Sequence, residues 1–185
     1  MKEKKCRICK GIFTAKNSLQ VVCCMECAIK LADERKAKKQ RQEQKDWNVE
    51  KLRRKEKLMT GSERRNKLQK VFNEWIRLRD KGLPCISCDR PMNGKKTHAG
   101  HLYSVGFFPE LRFDPDNCHA QCEWCNIHLH GNGALYRMNL VKKIGPERLQ
   151  MLDKRAGVPK NYMTHEISEL LEYYKYRVKE KKKKK

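Results

Sequence analysis

The chain has 185 residues and a net charge of +22; 36% of its residues are charged and 38% hydrophobic, with a mean hydropathy of −0.92. A chain this polar cannot fill one continuous core, so we expect part of it to be solvated helix or disordered. No apolar run approaches the roughly 18 residues that a membrane span needs, and the N-terminus lacks the apolar stretch of a secretory signal. An intracellular, cytoplasmic protein is therefore predicted, in which the ten cysteines serve as metal ligands in preference to disulfides.

The positive charge is unevenly distributed along the chain. Residues 1–70 contain 22 basic and 9 acidic residues, and residues 176–185 contain 7 and 1. A nearly neutral central segment is therefore flanked by a basic arm and a basic tail. This pattern favours a polyanionic partner, nucleic acid above all, although Lys-rich ends can also serve solubility alone.

Cysteines near the N-terminus predict a small zinc-binding module over residues 1–31. The candidate ligands are Cys6, Cys9, Cys27 and either Cys23 or Cys24. The spacing permits both alternatives for the fourth ligand. A segment this short cannot bury enough surface to fold without a metal. We expect a ribbon or treble-clef hairpin with strands near Phe13 and residues 21–22, followed by a helix.

A basic helical linker is predicted over residues 32–61. Its Lys, Arg, Glu, Gln and Ala residues favour helix, but they form no sustained apolar stripe. Such a segment can lie along phosphates, or it can serve only as a spacer between two modules.

The main domain is predicted over residues 62–176. Thr60 and Glu63 have the spacing of a capping box, and the helix after them has apolar residues at helical spacing. These are Leu68, Val71, Phe72, Trp75 and Ile76.

Further elements of the main domain follow from patterning and turn residues. We expect a strand over residues 95–102, a short extended segment over residues 110–113, and a helix over residues 134–144 that buries Leu135, Met138, Leu140 and Val141. Helices are also expected up to about residue 154 and from Thr164 onwards, before a Lys-rich disordered tail over residues 177–185.

Two further CxxC pairs predict a second zinc site within the main domain. Cys85 and Cys88 are separated by 33 residues from Cys122 and Cys125. Four thiolates in this arrangement are typical of a closed tetrahedral zinc site. Between the pairs lie His101 and Asn117, and Asn126 directly follows the last cysteine. Such polar residues indicate a zinc-supported unit that also carries out chemistry.

The order CxxC, His, Asn, CxxC-Asn resembles an HNH (ββα-metal) nuclease of the zinc-stapled endonuclease VII type. More closely, nearly the whole chain is similar to the phage NinG (Rap) recombination endonuclease family. The segments that carry this resemblance are Ala99-Gly-His101, Leu111-Arg-Phe113, Asn117, Gln121-Cys122, Cys125-Asn126, Tyr136-Arg137 and Ile144-Gly145. The implied fold is α+β: a small ββα-metal (HNH-like) zinc-stapled domain with surrounding helices, plus a zinc-ribbon or treble-clef-like module on a basic helical arm.

The resemblance also implies roles for three residues. His101 matches the general base that deprotonates water, a task that suits a neutral imidazole. Asn117 matches the position that orients the base or its loop. Asn126 matches the last position of the motif, which holds a catalytic Mg²⁺ or Mn²⁺ through hard ligands. The zinc of the four cysteines has no open position and would support the fold alone.

One position departs from many HNH nucleases. They place an Asp before the base as a second metal ligand, but this chain has Gly100 there. His98 and His119 are the candidates to replace it or to contact phosphate. Residues three apart in a regular strand point to opposite faces, so His98 would need a bulge to act beside His101.

The activity that the resemblance implies is metal-dependent cleavage of branched DNA, such as Holliday junctions and D-loops, by a phage protein in the host cytoplasm. No Gly-rich nucleotide-binding loop occurs, so cleavage is expected to need no ATP. Paired cuts would require two active sites and hence a homodimer. The alternatives are a general HNH DNA endonuclease, a recombination mediator that binds junctions without cutting them, and an RNA-directed zinc protein.

Overall fold

The computed structural model describes residues 2–92 and 96–183. The chain forms two compact units, Met1–Met59 and Thr60–Lys185, which are described separately below. Among the described residues, no helix combines the length and apolarity needed to cross a bilayer.

The first unit combines a small hairpin with one long helix. Strand β1 (Glu3–Lys5) pairs antiparallel with β2 (Ile12–Thr14), and helix α1 spans Met25–Lys57. The predicted strand near Phe13 is confirmed, but the one at residues 21–22 is wrong, because β2 pairs with the chain's own N-terminal segment. The predicted linker helix is confirmed as well. It continues without a break across the boundary placed between residues 31 and 32, and only Cys27 and Leu31 are buried along it.

The second unit contains four α-helices and a two-stranded sheet within its described residues. These elements are α2 (Gly61–Arg79), β3 (Thr97–His101), β4 (Cys118–Cys122), α3 (Gly133–Ile144), α4 (Pro146–Arg155) and α5 (Thr164–Lys183). The predicted capping box forms, since the Thr60 hydroxyl accepts the Glu63 N–H at 3.2 Å and the Glu63 carboxylate accepts the Thr60 N–H at 2.8 Å. Strand β3 is shorter than predicted, and the predicted strand start at Lys95 lies outside the described residues.

The β3–β4 sheet lies between two apolar clusters. Helices α2 and α5 pack on one face, and α3 and α4 contribute to the cluster on the other face. The buried residues of the first cluster include Leu68, Phe72, Trp75, Ile76, Ile167, Leu171, Tyr174 and Val178. Those of the second are Ile86, Leu111, Tyr136, Leu140, Leu149 and Leu152. Because both faces are covered by side chains, even this small sheet can have a fixed position in the unit.

Three local predictions are wrong. Residues 110–113 are not extended, because Pro109–Leu111 form a turn of 3₁₀ helix. Helix α3 buries Tyr136 and Leu140, while Leu135 and Met138, which were expected in the core, are exposed. The tail predicted to be disordered from residue 177 is instead the end of α5.

The last turns of α5 are held by contacts with α2. Val178 is buried in the first cluster, and the ammonium group of Lys182 lies 2.7 Å from the carboxylate of Glu74 on α2. These contacts offset the repulsion between neighbouring lysines. The sequence alone shows that repulsion but not the contacts with α2, which is why it predicted disorder. Lys184 and Lys185, also part of the predicted tail, lie outside the described residues.

A buried carboxylate joins α2, β4 and α3. Asp80 is 3% exposed and accepts hydrogen bonds from the Arg79 guanidinium at 2.8 Å and from the backbone N–H of Ala120 at 2.9 Å. The Lys143 ammonium lies 3.1 Å from it. Burial alone would raise the pKa of Asp80, but these partners lower it to about 2. The ionised carboxylate therefore connects three elements around the sheet.

The variant Asp80→Asn is expected to destabilise the protein by about 3–5 kcal/mol, because it leaves the charges of Arg79 and Lys143 without their counterion in a buried setting. Urea unfolding followed by circular dichroism measures this change. Glu180→Gln, which removes the exposed partner of Arg177, is the control and should alter stability by less than about 1 kcal/mol. Equal effects of the two variants would contradict the prediction.

Candidate functional site

The second cysteine set has the geometry of a tetrahedral thiolate site. The Sγ atoms of Cys85, Cys88, Cys122 and Cys125 all lie within 4.8 Å of one another, and those of Cys88 and Cys122 are 3.8 Å apart. Zn–S bonds of about 2.3 Å place tetrahedral sulfurs about 3.8 Å apart. The backbone N–H of Cys122 donates to the Cys85 sulfur at 3.3 Å, which favours the thiolate. These four residues can hold zinc.

The N-terminal set has the same geometry and resolves an alternative that spacing leaves open. The four residues whose Sγ atoms lie within 4.8 Å of one another are Cys6, Cys9, Cys23 and Cys27. Cys23 Sγ lies 3.5 Å from Cys9 Sγ and 3.7 Å from Cys27 Sγ. Cys24 instead occupies the N-cap position of α1. The geometry therefore favours Cys23 as the fourth ligand.

This assignment predicts different outcomes for two neighbouring substitutions. Cys23→Ser is expected to lower the zinc content from two ions to one ion per chain, because the cluster loses a thiolate. Cys24→Ser is expected to retain two ions. Elemental analysis of the purified variants measures both values. If Cys24→Ser lost a zinc ion and Cys23→Ser did not, Cys24 and not Cys23 would be the fourth ligand.

The register of the sheet decides which side chains share a face. His101 pairs with Cys118, Gly100 with His119, and His98 with Gln121. Successive side chains of a strand point to opposite faces, and this register has no bulge. His98 and Gly100 therefore lie on one face and His101 on the other, so the bulge that would bring His98 beside His101 does not occur.

His101 is held by a backbone carbonyl of the loop that joins the two strands. Its Nε2 atom lies 3.2 Å from the carbonyl oxygen of Arg112, which can only accept, so the hydrogen bond assigns the proton to Nε2. In the neutral ring the lone pair is then on Nδ1, which lies 3.8 Å from Cys118 Sγ. Burial lowers the pKa of His101 below its ordinary value of 6.5. At neutral pH the ring is uncharged and can accept a proton at Nδ1.

Asn117 fixes the loop that carries this carbonyl. It is fully buried, and its amide group donates to the carbonyl oxygens of Tyr103 at 2.9 Å and Leu111 at 3.1 Å. Its Oδ1 accepts the Tyr103 N–H at 2.8 Å. One side chain thus connects the beginning of the loop with the segment just before Arg112. Asn117 is therefore placed to position the partner of His101.

Asn126 lies over strand β3 on the Gly100 face. It directly follows Cys125 and belongs to a π-helical turn, Trp124–His128. Its Oδ1 lies 3.1 Å from the position that a β-carbon on Gly100 would take. The second cysteine pair therefore brings Asn126 next to the residue that departs from the expected motif.

Gln121 also points at Gly100, from the neighbouring strand. It is fully buried, and its Nε2 donates to Ser87 Oγ at 2.6 Å and to the Gly131 carbonyl oxygen at 2.5 Å. Its Oε1 has no hydrogen-bond partner within the described part of the chain and would clash with any β-carbon on Gly100. Glycine at position 100 thus makes room for this amide oxygen.

The two remaining predicted residues have different surroundings. His98 shares the Gly100 face, and its Nε2 is a second buried atom without a hydrogen-bond partner among the described residues; it lies 3.9 Å from a carboxylate oxygen of Glu123. His119 is 2% exposed, with Nδ1 3.3 Å from the Tyr136 hydroxyl. Burial, followed by nearby cations, lowers the pKa of His119 to about 3. His119 is therefore a neutral interior residue, and its burial does not support the predicted contact with phosphate or a metal.

Comparison with known proteins identifies the family. The family model described as "Bacteriophage Lambda NinG protein" matches residues 1–184. The chain belongs to the NinG family. Protein ninG of Escherichia phage 933W is 36% identical over 161 residues, which cover 81% of this chain and 80% of that protein. Protein ninG of Escherichia phage lambda is 33% identical over 156 residues, covering 78% and 76% respectively. No solved structure matches.

Sequence reasoning did not assign three residues of this candidate site. Arg112 contributes through its backbone carbonyl, which no side-chain pattern reveals. Tyr136 is fully buried and donates its hydroxyl to the Gly100 carbonyl oxygen at 3.0 Å, while Gln121 points its free oxygen at the same residue. Tyr136 and Gln121 lie in segments that carry the NinG resemblance, which was a signal that they matter. Their contacts with Gly100 depend on the register of the sheet, which the sequence does not show.

Proposed function

We propose that this protein is a divalent-cation-dependent endonuclease of the HNH type that cuts branched DNA, such as Holliday junctions and D-loops, during phage recombination in the host cytoplasm. The observation that carries the proposal is the environment of His101. Its Nε2 is bonded to a backbone carbonyl, and burial lowers its pKa, so at neutral pH the ring is uncharged with its lone pair on Nδ1, where the attacking water would replace the Cys118 thiol that now contacts this atom.

The residues of the site match the demands of phosphodiester hydrolysis. The reaction requires an activated water, a cation near the scissile phosphate and help for the leaving oxygen. His101 takes the proton of the water at Nδ1, and Asn117 keeps the carbonyl of Arg112 in place. A general base in this role usually contributes about 10²–10⁴-fold in rate.

Two side-chain oxygens next to Gly100 suit a hard divalent cation. Asn126 Oδ1 and a buried amide oxygen without a partner among the described residues both lie next to the position that a β-carbon on Gly100 would take, on the face of the sheet opposite to the His101 side chain. Mg²⁺ and Mn²⁺ prefer oxygen ligands, so Asn126 would hold either ion. When bound, the cation supplies positive charge to the phosphate. The two cysteine clusters, whose four thiolates each fill a tetrahedral site, would hold zinc for folding only.

The charge of the chain supports DNA as the partner. Helix α1 is almost wholly exposed, with basic residues along its length and in its last turn, and the whole chain has a net charge of +22. Contacts between these groups and phosphates release counterions, so binding is expected to weaken steeply with salt. Cutting a junction on two strands would require two copies of this site, which implies a homodimer on the DNA.

The test compares a labelled four-way junction with a linear duplex of the same sequence. We expect the protein to cut the junction in Mg²⁺ or Mn²⁺, to cut the linear duplex much more slowly, and to cut neither in EDTA. Equal cutting of both substrates would support a general HNH endonuclease instead. Binding of the junction without cutting in any divalent cation would overturn the nuclease proposal.

A second candidate function is that of a recombination mediator that binds junctions without cleavage. The observation that favours it is Gly100, which lacks the carboxylate of many HNH nucleases. A mediator would bind the junction equally well in EDTA and in Mg²⁺, and substitution of His101 would leave its action unchanged. The cleavage assay with and without divalent cation therefore separates the two candidates.

A further inference from the structure

The orientation of the Gln121 amide is fixed by its neighbours. Its nitrogen faces the carbonyl oxygen of Gly131, which has no hydrogen to donate. A flipped amide would place two acceptors against each other, so Oε1 must point away from Gly131 and towards Gly100. The second contact of the nitrogen agrees, because the Ser87 hydroxyl donates its proton to the Gly131 carbonyl at 3.2 Å and therefore accepts from Gln121.

The free oxygen of Gln121 is costly if nothing binds it. A buried acceptor without a partner costs about 1–3 kcal/mol, and this one has no partner among the described residues. Asn126 Oδ1 lies beside the same backbone position, 3.1 Å from where the Gly100 β-carbon would be. The Gln121 oxygen and the side-chain amide of Asn126 converge there, at the place where a side chain of residue 100 would otherwise be, and metal binding requires the oxygen of the Asn126 amide to face this point.

We propose that Gln121 is the missing metal ligand: its Oε1, which lies where a side chain of residue 100 would begin, binds the divalent cation together with Asn126 Oδ1. The inference rests on the proposed function, which requires that cation. A ligand on β4 thereby replaces the carboxylate that many HNH nucleases carry on β3. Glycine at position 100 is then required by the site, since a β-carbon there would collide with the ligand oxygen.

His98 lies on the same face of the sheet as this site. It is the register partner of Gln121 on the same face, where directly opposite β-carbons are about 4.5–5.5 Å apart. Its Nε2 is buried without a hydrogen-bond partner among the described residues. Imidazole nitrogen binds Mn²⁺ better than Mg²⁺, so Mn²⁺ is the suitable probe of the site.

The experiment measures Mn²⁺ binding to the zinc-loaded full chain by the electron paramagnetic resonance signal of the free ion. Titrations use the protein alone and the His101→Ala protein bound to a four-way junction, with the junction alone as the blank. Gln121→Met is expected to weaken binding by at least about tenfold, as losses of supporting groups around metals do. Gln150→Met, the same exchange at an exposed position of α4, is the matched control and should bind Mn²⁺ as the unmodified protein does.

A ligand exchange separates a metal-binding role from a structural one. Gly100→Asp alone is expected to weaken Mn²⁺ binding, because its side chain collides with Gln121. Combined with Gln121→Ala, Gly100→Asp returns a carboxylate to the emptied space and should restore binding to within about tenfold of the unmodified protein. Circular dichroism and a zinc content of two ions per chain confirm that each variant is folded.

The outcomes separate the metal site from the nuclease proposal. Unchanged Mn²⁺ affinity in folded Gln121→Met, or no Mn²⁺ binding by either the free protein or its junction complex, overturns the inference. If Mn²⁺ binds through Gln121 but no junction is cut, the metal site stands and the nuclease proposal fails. If junctions are cut while Gln121→Met binds Mn²⁺ normally, the nuclease proposal stands and Gln121 is not the ligand.

Discussion

Cys122→Ser is expected to unfold the β3–β4 region and to lower the zinc content from two ions to one ion per chain. Cys122 ends β4, and its sulfur lies 3.8 Å from that of Cys88, so the cluster joins the sheet to the segment before it. Structural zinc contributes about 10–16 kcal/mol in small domains, whereas a whole domain has a net stability of only about 5–15 kcal/mol. Loss of this site is therefore expected to destabilise the second unit more than any other single substitution would.

The comparison that isolates the metal is Cys118→Ala. Cys118 is fully buried on β4 but belongs to neither cysteine cluster. We expect this variant to keep two zinc ions and to lose the packing of one sulfur and its contact with His101 Nδ1, a few kcal/mol at most. Elemental analysis and thermal unfolding distinguish the two variants. If Cys122→Ser kept two zinc ions and unfolded at the same temperature as Cys118→Ala, the assignment of the cluster would be wrong.

His101→Ala is expected to reduce junction cleavage by about 10²–10⁴-fold, because it removes the base that takes the proton of the attacking water. Junction binding and zinc content should be unchanged, since His101 is not a cluster ligand and is partly buried at the end of β3. Single-turnover cleavage in Mg²⁺ measures the rate, and a gel-shift titration measures binding. His165→Ala, at an exposed position at the start of α5, is the matched control and should cut normally.

The pH dependence gives an independent check on the same residue. The base acts in its neutral form, and burial lowers the pKa of His101 below 6.5. Cleavage should therefore stay constant as the pH falls from 8 to 6.5 and should decline only below that value. A decline that begins well above pH 6.5, or a His101→Ala rate equal to that of the unmodified protein, would show that another group is the base.

Much of the local structure follows from the sequence alone. The second cysteine set is readable because each of its CxxC pairs constrains its own sulfurs, whatever the rest of the chain does, and the N-terminal set is readable except for the choice between Cys23 and Cys24. Helix α2 is readable because its cap and its apolar face lie within one continuous segment. Since these signals depend on residues close together in the chain, they needed no information about the tertiary fold.

Other features depend on contacts between distant segments, and the sequence left them open or predicted them wrongly. Helix α5 continues through its lysines because Val178 and Lys182 meet α2, more than 100 residues earlier in the chain. The bond between His101 and the Arg112 carbonyl arises from the path of the loop between the strands.

The candidate metal site shows the same division. The sequence by itself determined that position 100 carries no carboxylate and that Asn126 follows the last cysteine. Only the tertiary structure decided that Gln121 replaces the missing side chain in space, because the register of β3 and β4 sets which residues face each other. A shift of that register by one residue would turn Gln121 to the opposite face, and no pattern along either strand alone fixes it.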